Sequence, residues 1–101
     1  MDQQFDSFAQ FYPFYLGEHA APGTRRLHFL GLVLALLCLL ALVFTGDPVW
    51  LLAGLVCGYG FAWAAHLWIE KNRPATFRHP VYSFMGDWTM FWQILTGKIP
   101  F

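Results

Sequence analysis

Two long apolar stretches dominate this sequence and leave it few ways to fold. Between Leu27 and Phe44 the only polar side chain is His28, and between Val49 and Ile69 the single basic group is His66. A helix needs roughly 17 to 25 mostly apolar residues to cross a hydrocarbon core about 30 Å thick, and each stretch is of that kind. Thr45, Gly46, Asp47 and Pro48 lie between them. Glycine ends a helix and proline suits the first position of the next, so the two stretches should fold back as a hairpin. Of 101 residues, 57% are hydrophobic and only 12% charged, against about 25% charged in soluble domains. So small a chain cannot bury that much apolar surface within itself. The expected fold is an all-α integral membrane protein, a two-helix transmembrane hairpin flanked by amino- and carboxy-terminal interfacial helices.

The segments expected are an amphipathic amino-terminal part over 1–18, transmembrane helices over 25–45 and 48–70, a loop over 71–80 and an interfacial helix over 81–97. In the first, Phe5, Phe8, Phe11, Tyr12 and Tyr15 recur at helical spacing, and Pro13 should bend or break the helix. In the last, Trp88 and Trp92 share a face, while Asp87 and the short length argue against a third crossing. Gly54 and Gly58 stand four apart and should let the facing helix approach closely. Arg25 and Arg26 precede the first span, Lys71, Arg73 and Arg78 follow the second, and the turn carries no positive charge. The positive-inside bias therefore puts both termini in the cytoplasm. Met1 to Ser7 holds no lysine or arginine, unlike a secretory signal peptide, so the first apolar stretch is expected to stay in the protein.

Six basic residues balance six acidic ones, which offers nothing to a nucleic acid. Cys38 and Cys57 lie inside the apolar stretches and read as small buried hydrophobes rather than a disulfide or zinc framework. A serine nucleophile would need a Gly-x-Ser-x-Gly elbow, and a nucleotide site a glycine-rich loop; the sequence has neither.

Folding back the hairpin brings the histidines together. His28 lies near the start of the first span and His66 near the end of the second, so both sit at the cytoplasmic level. His19 precedes the first span by a short turn and His79 follows the second by the stretch Lys71 to Arg78, on the same side. Glu70 is four residues after His66 and shares its helical face. An ionisable group inside a span is costly and ordinarily faces a partner or cavity. A metal held by His19, His28, His66 and His79, with Glu70 beside them, is the expectation, and ligand type alone leaves zinc, copper and iron open.

The residues also carry a resemblance. Phe14-Tyr15-Leu16-Gly17-Glu18-His19 with Arg26-Leu27-His28-Phe29-Leu30-Gly31 is similar to one block of the membrane 2-hydroxy fatty acid dioxygenase family. Ala65-His66-Leu67-Trp68-Ile69-Glu70-Lys71-Asn72-Arg73-Pro74-Ala75-Thr76-Phe77, continued through His79-Pro80 to Ser83 and Gly86-Asp87, resembles a second block in its bacterial form. The resemblance implies an enzyme of the bacterial inner membrane. It would use Fe(II) and molecular oxygen to shorten 2-hydroxy fatty acids by one carbon. It matches His19, His28 and His66 to the family's histidines and Glu70 to the acid of its His-x-x-x-Glu pattern, with His79 a further ligand or a neighbour of the site.

On this reading Arg25, Arg26, Arg73 or Arg78 pairs with the substrate carboxylate, Arg73 being chosen with Glu70 and Asn72 as catalytic candidates. Asn72 and Asp87 would orient ligands by hydrogen bonds, and the acyl tail would lie along the spans. Two other classes stay open at this point, a haem-binding membrane electron carrier and a non-enzymatic regulator of a larger complex. Oligomeric state is open as well.

Overall fold

The structure, a computed structural model, describes residues 4–101; residues 1–3 of the expected amino-terminal segment lie outside these. Among the described residues there are four α-helices and no strand. They are α1 (Phe8–Gly17), α2 (Pro22–Thr45), α3 (Val49–Ala65) and α4 (Pro80–Leu95).

Helix α1 starts at Ser7, whose Oγ accepts from the Gln10 amide at 3.2 Å while Gln10 Oε1 accepts from the Asp6 amide at 3.1 Å. Two otherwise free donors are satisfied reciprocally, as in a capping box. The helix runs through Pro13 without a break. Helix α2 begins at Pro22, three residues earlier than expected, because proline lacks the amide proton that a first-turn position leaves unpaired anyway. It ends at Gly46, which takes the left-handed conformation (φ 70°) and returns its amide to the Leu42 carbonyl at 2.8 Å. Asp47 Oδ1 then accepts from the Val49 amide at 3.0 Å and starts α3.

Pro22–Thr45 and Val49–Glu70 are long and apolar enough to cross a membrane. Only 22% and 17% of their most apolar windows are buried within the chain, unlike the core helix of a water-soluble domain. Phe44 is 80% exposed and Leu52 62%. The helices pack closely at Gly31, where a Cβ would lie 2.9 Å from the Cys57 carbonyl oxygen. A Cβ at Gly54 would stand 3.4 Å from Cys38 Cβ, in ordinary contact.

The compact core lies outside the hairpin. Phe11 and Tyr15 of α1, Met90 and Ile94 of α4 and Ala75 of a short 3-10 turn (Ala75–Phe77) form one buried cluster. So α1 and α4 are packed on each other rather than lying apart, joined also by Tyr12 donating to Gln93 at 2.5 Å. Gly86 lets α4 meet the Tyr15 ring, because a Cβ there would come within 2.9 Å of it. Phe91 of α4 stacks on Phe29 of α2 at 4.7 Å. The cap formed by α1 and α4 is thereby seated on the open end of the hairpin, away from the turn.

Candidate metal centre

At that open end three buried histidines meet, one from each arm of the fold. His19 follows α1, His28 lies in the second turn of α2, and His66 closes α3. His19 Nε2 lies 3.1 Å from His28 Nε2 and 3.0 Å from His66 Nε2. One ligand atom from each ring lies within 4.8 Å of those of the other two.

The opposite nitrogens fix what those contacts are. His19 Nδ1 donates to the Tyr15 carbonyl at 2.6 Å and His28 Nδ1 to the Thr24 carbonyl at 3.0 Å. His66 Nδ1 meets Asn72 Oδ1 at 2.6 Å. The amide of Asn72 is oriented by its own Nδ2, which donates to the Glu18 carbonyl at 3.2 Å and to Glu18 Oε2 at 2.9 Å. Carbonyl and amide oxygens only accept, so each Nδ1 holds its ring's proton and each Nε2 presents a lone pair. Burial pushes the His19 pKa down to about 2, helped by His28 and His66 and opposed by the Tyr15 carbonyl. His19 therefore has no second proton to place between the rings at neutral pH. Three lone pairs face one another, an arrangement that repels unless a cation lies among them.

The spacing tests which coordination the donors fit. Two nitrogens about 2.1 Å from one ion are about 3.0 Å apart at a right angle and about 3.4 Å apart at the tetrahedral angle. The observed 3.1 and 3.0 Å are close enough for the nitrogens to share one ion. The donor set fits a transition-metal ion.

Local backbone explains how His66 reaches the site. The last turn of the second long helix, His66–Glu70, is a π-turn, and Lys71 follows it in the left-handed conformation at φ 58°. This reverses the chain, so that the Asn72 amide bonds the His66 carbonyl at 3.0 Å and its side chain returns to the ring. Single π-turns recur at functional sites because they re-aim one side chain.

The other expected site residues fall elsewhere. Glu70 is not among the clustered donors; its Oε1 accepts from the Ala21 amide at 2.8 Å, tying the end of the second long helix to the start of α2. His79 stands apart from the three, edge-on to Phe5 at 5.2 Å and Phe11 at 5.4 Å. Arg73 is exposed and lines a cavity of about 150 Å³ with Phe14, Glu18, Arg78 and His79.

Sequence reasoning did not assign Tyr15 to the site. Its ring stacks on His19 at 3.9 Å and its hydroxyl donates to Asp87. Burial, with Asp87 beside it, raises the Tyr15 pKa well above the usual range, and burial lifts the Asp87 carboxyl to about 6 against the Tyr15 hydrogen bond. The available signal was spacing: Tyr15 and Thr24 each stand four residues before a histidine.

Residues 5–99 match the family described as 2-hydroxy-palmitic acid dioxygenase Mpo1-like. No curated protein and no solved structure matches the chain. The match covers nearly every residue, the three histidines included, and the protein belongs to the 2-hydroxy-palmitic acid dioxygenase Mpo1-like family.

Proposed function

We propose that this chain is a membrane-embedded, Fe(II)-dependent dioxygenase that converts a 2-hydroxy fatty acid to the fatty acid one carbon shorter. The observation that carries the reading is the meeting of three Nε2 lone pairs whose rings are each locked in one tautomer. Family membership supports the substrate class. His19, His28 and His66 would hold the iron, and iron bound there would supply the means of activating oxygen beside the substrate head group.

Overall, R–CH(OH)–COOH and O₂ give R–COOH, CO₂ and H₂O. The substrate loses four electrons and oxygen gains four, so the balance needs no outside reductant. The protein's part is arrangement. Tyr15, Thr24 and Asn72 keep the imidazole protons on Nδ1, and the Tyr15 ring covers His19 from solvent. Glu70, by holding the Ala21 amide, sets where α2 starts and so where His28 stands; its role is positioning. Arg73 is our choice to receive the carboxylate, because it opens on the cavity that Glu18 shares, and Glu18 bonds Asn72, which bonds His66. His79, seated among phenylalanines, is not assigned to the metal.

The hairpin would span the bilayer with both termini in the cytoplasm, as the arginines and lysine at its open end favour. We place it in a bacterial inner membrane. A haem would use two of these imidazoles, whereas the non-haem reading gives all three clustered nitrogens a role.

The test is aerobic incubation of the detergent-purified, iron-loaded protein with 2-hydroxypalmitate. The expected product is pentadecanoic acid with consumption of one O₂ per product. Iron-loaded protein that leaves the substrate intact would overturn the proposed reaction.

A further inference from the structure

A groove of about 150 Å³ runs down the hairpin, walled by α2 and α3 and roofed by Phe84 and Trp88 of α4. On α2 its wall is Leu32, Ala35, Leu39 and Leu42, which continue one helical face begun by His28. On α3 the wall includes Leu51, Leu55 and Gly58, a face that runs on through Ala62 to His66. Both walls thus end in a histidine of the cluster. At the same end the groove has its one ionisable carboxylate, Asp87, which accepts from Tyr15, and the Tyr15 ring lies against His19. Helix faces and ring contacts thus run from one end of the groove toward all three histidines.

From Leu32 to Leu42 a helix rises about 15 Å, half of a hydrocarbon core about 30 Å thick. That is the depth of one leaflet, and hence the length of one membrane acyl chain. The other end of the groove is lined by Trp50 and Leu51 beside the turn. We propose that this groove holds the acyl tail of the substrate and measures its length, with the 2-hydroxy acid head at the histidine end and the terminal methyl against Trp50 and Leu51. The proposal rests on the reaction assigned above and adds to it where the tail lies and what limits the tail.

Two measurements test it. The first is photocrosslinking of 2-hydroxypalmitate bearing a diazirine at its terminal carbon, mapped by mass spectrometry and independent of turnover. Adducts should concentrate at Leu42, Trp50 and Leu51. Adducts spread over outward residues such as Val43 and Leu52, 72% and 62% exposed, would show an ordinary lipid contact and overturn the assignment.

The second is the chain-length profile of Leu51→Trp, which adds bulk at the turn end of the groove. A misfit of a methylene or more in an apolar pocket costs about tenfold, so the ratio of long-acid to short-acid turnover should fall about tenfold. Val56→Trp, on the lipid-facing side at 62% exposure, should keep the wild-type ratio. A profile unchanged in Leu51→Trp overturns the groove and leaves the reaction standing. Crosslinks at Trp50 and Leu51 in a metal-loaded protein that never shortens the acid leave the groove standing and overturn the reaction.

Discussion

His66 differs from its two partners in where its Nδ1 proton is held. His19 and His28 use backbone carbonyls of their own helical turns, whereas His66 depends on the side chain of Asn72. Only the last can be removed by substitution. Asn72→Leu should weaken iron binding about 10- to 100-fold, the usual effect of losing a ligand's hydrogen-bond partner, as measured by competition with a chelating dye; unchanged affinity would show that the Asn72 contact is incidental.

Asp87 offers a pH test. Its folded pKa of about 6 lies above the unfolded 3.8, so its favourable contribution is complete below pH 3.8 and is lost as pH rises through 6. Asp87→Asn should therefore be the more stable protein at pH 8, by about 3 kcal/mol, with the advantage shrinking toward pH 4. Melting midpoints in detergent at the two pH values check this, and a pH-independent difference would contradict it.

At this scale the sequence was informative for His19, His28 and His66, because the hairpin sets their depth and depth was enough. Depth alone did not show that His79 packs against Phe5 and Phe11 outside the cluster of three, because only packing decides where a residue on that side of the hairpin points. Glu70 has the spacing of a ligand but is taken by the Ala21 amide, a contact between segments 49 residues apart that no local pattern carries.

Among the elements, the close contact of α2 and α3 sets how near His28 and His66 can come. Sequence pointed to Gly54 and Gly58 as the small residues that allow it. Both do face α2, at Cys38 and Ala35, but among the glycines the tightest contact is at Gly31, one turn beyond His28 toward the hairpin turn. A glycine's role depends on what faces it across the interface, which spacing within one helix does not reveal. Gly31→Ala would press a methyl on the Cys57 carbonyl and should cost about 1 to 3 kcal/mol, with weakened iron binding as the arms separate. Gly60→Ala, with nothing within 4 Å of the added Cβ, should gain up to about 1 kcal/mol from helix propensity. Equal melting shifts for the two would refute the packing account. The helices themselves were legible from apolar length, caps and prolines. The π-turn at His66–Glu70 was not, because it arises from the return of Asn72 to His66 rather than from the residues it contains.

Taken whole, the molecule separates two tasks. Its long helices present apolar surface outward, with 22% and 17% of their windows buried, and serve to carry His28 and His66 to one end. The aromatic cap of α1 and α4 supplies the close-packed core, seals His19 under Tyr15, and leaves a groove between itself and the hairpin. The packing of that cap could not be foreseen, since amphipathic helices that lie on a membrane and helices that pack on each other share one sequence pattern. The central claim is that three histidines, and not four, hold one iron. It is tested most directly by iron content after anaerobic loading of folded wild-type, His19→Ala, His28→Ala, His66→Ala and His79→Ala proteins. The account predicts one iron per chain in the wild type and in His79→Ala, and loss of iron in each of the other three; iron kept at full occupancy without His19, His28 or His66, or lost with His79 alone, would contradict it.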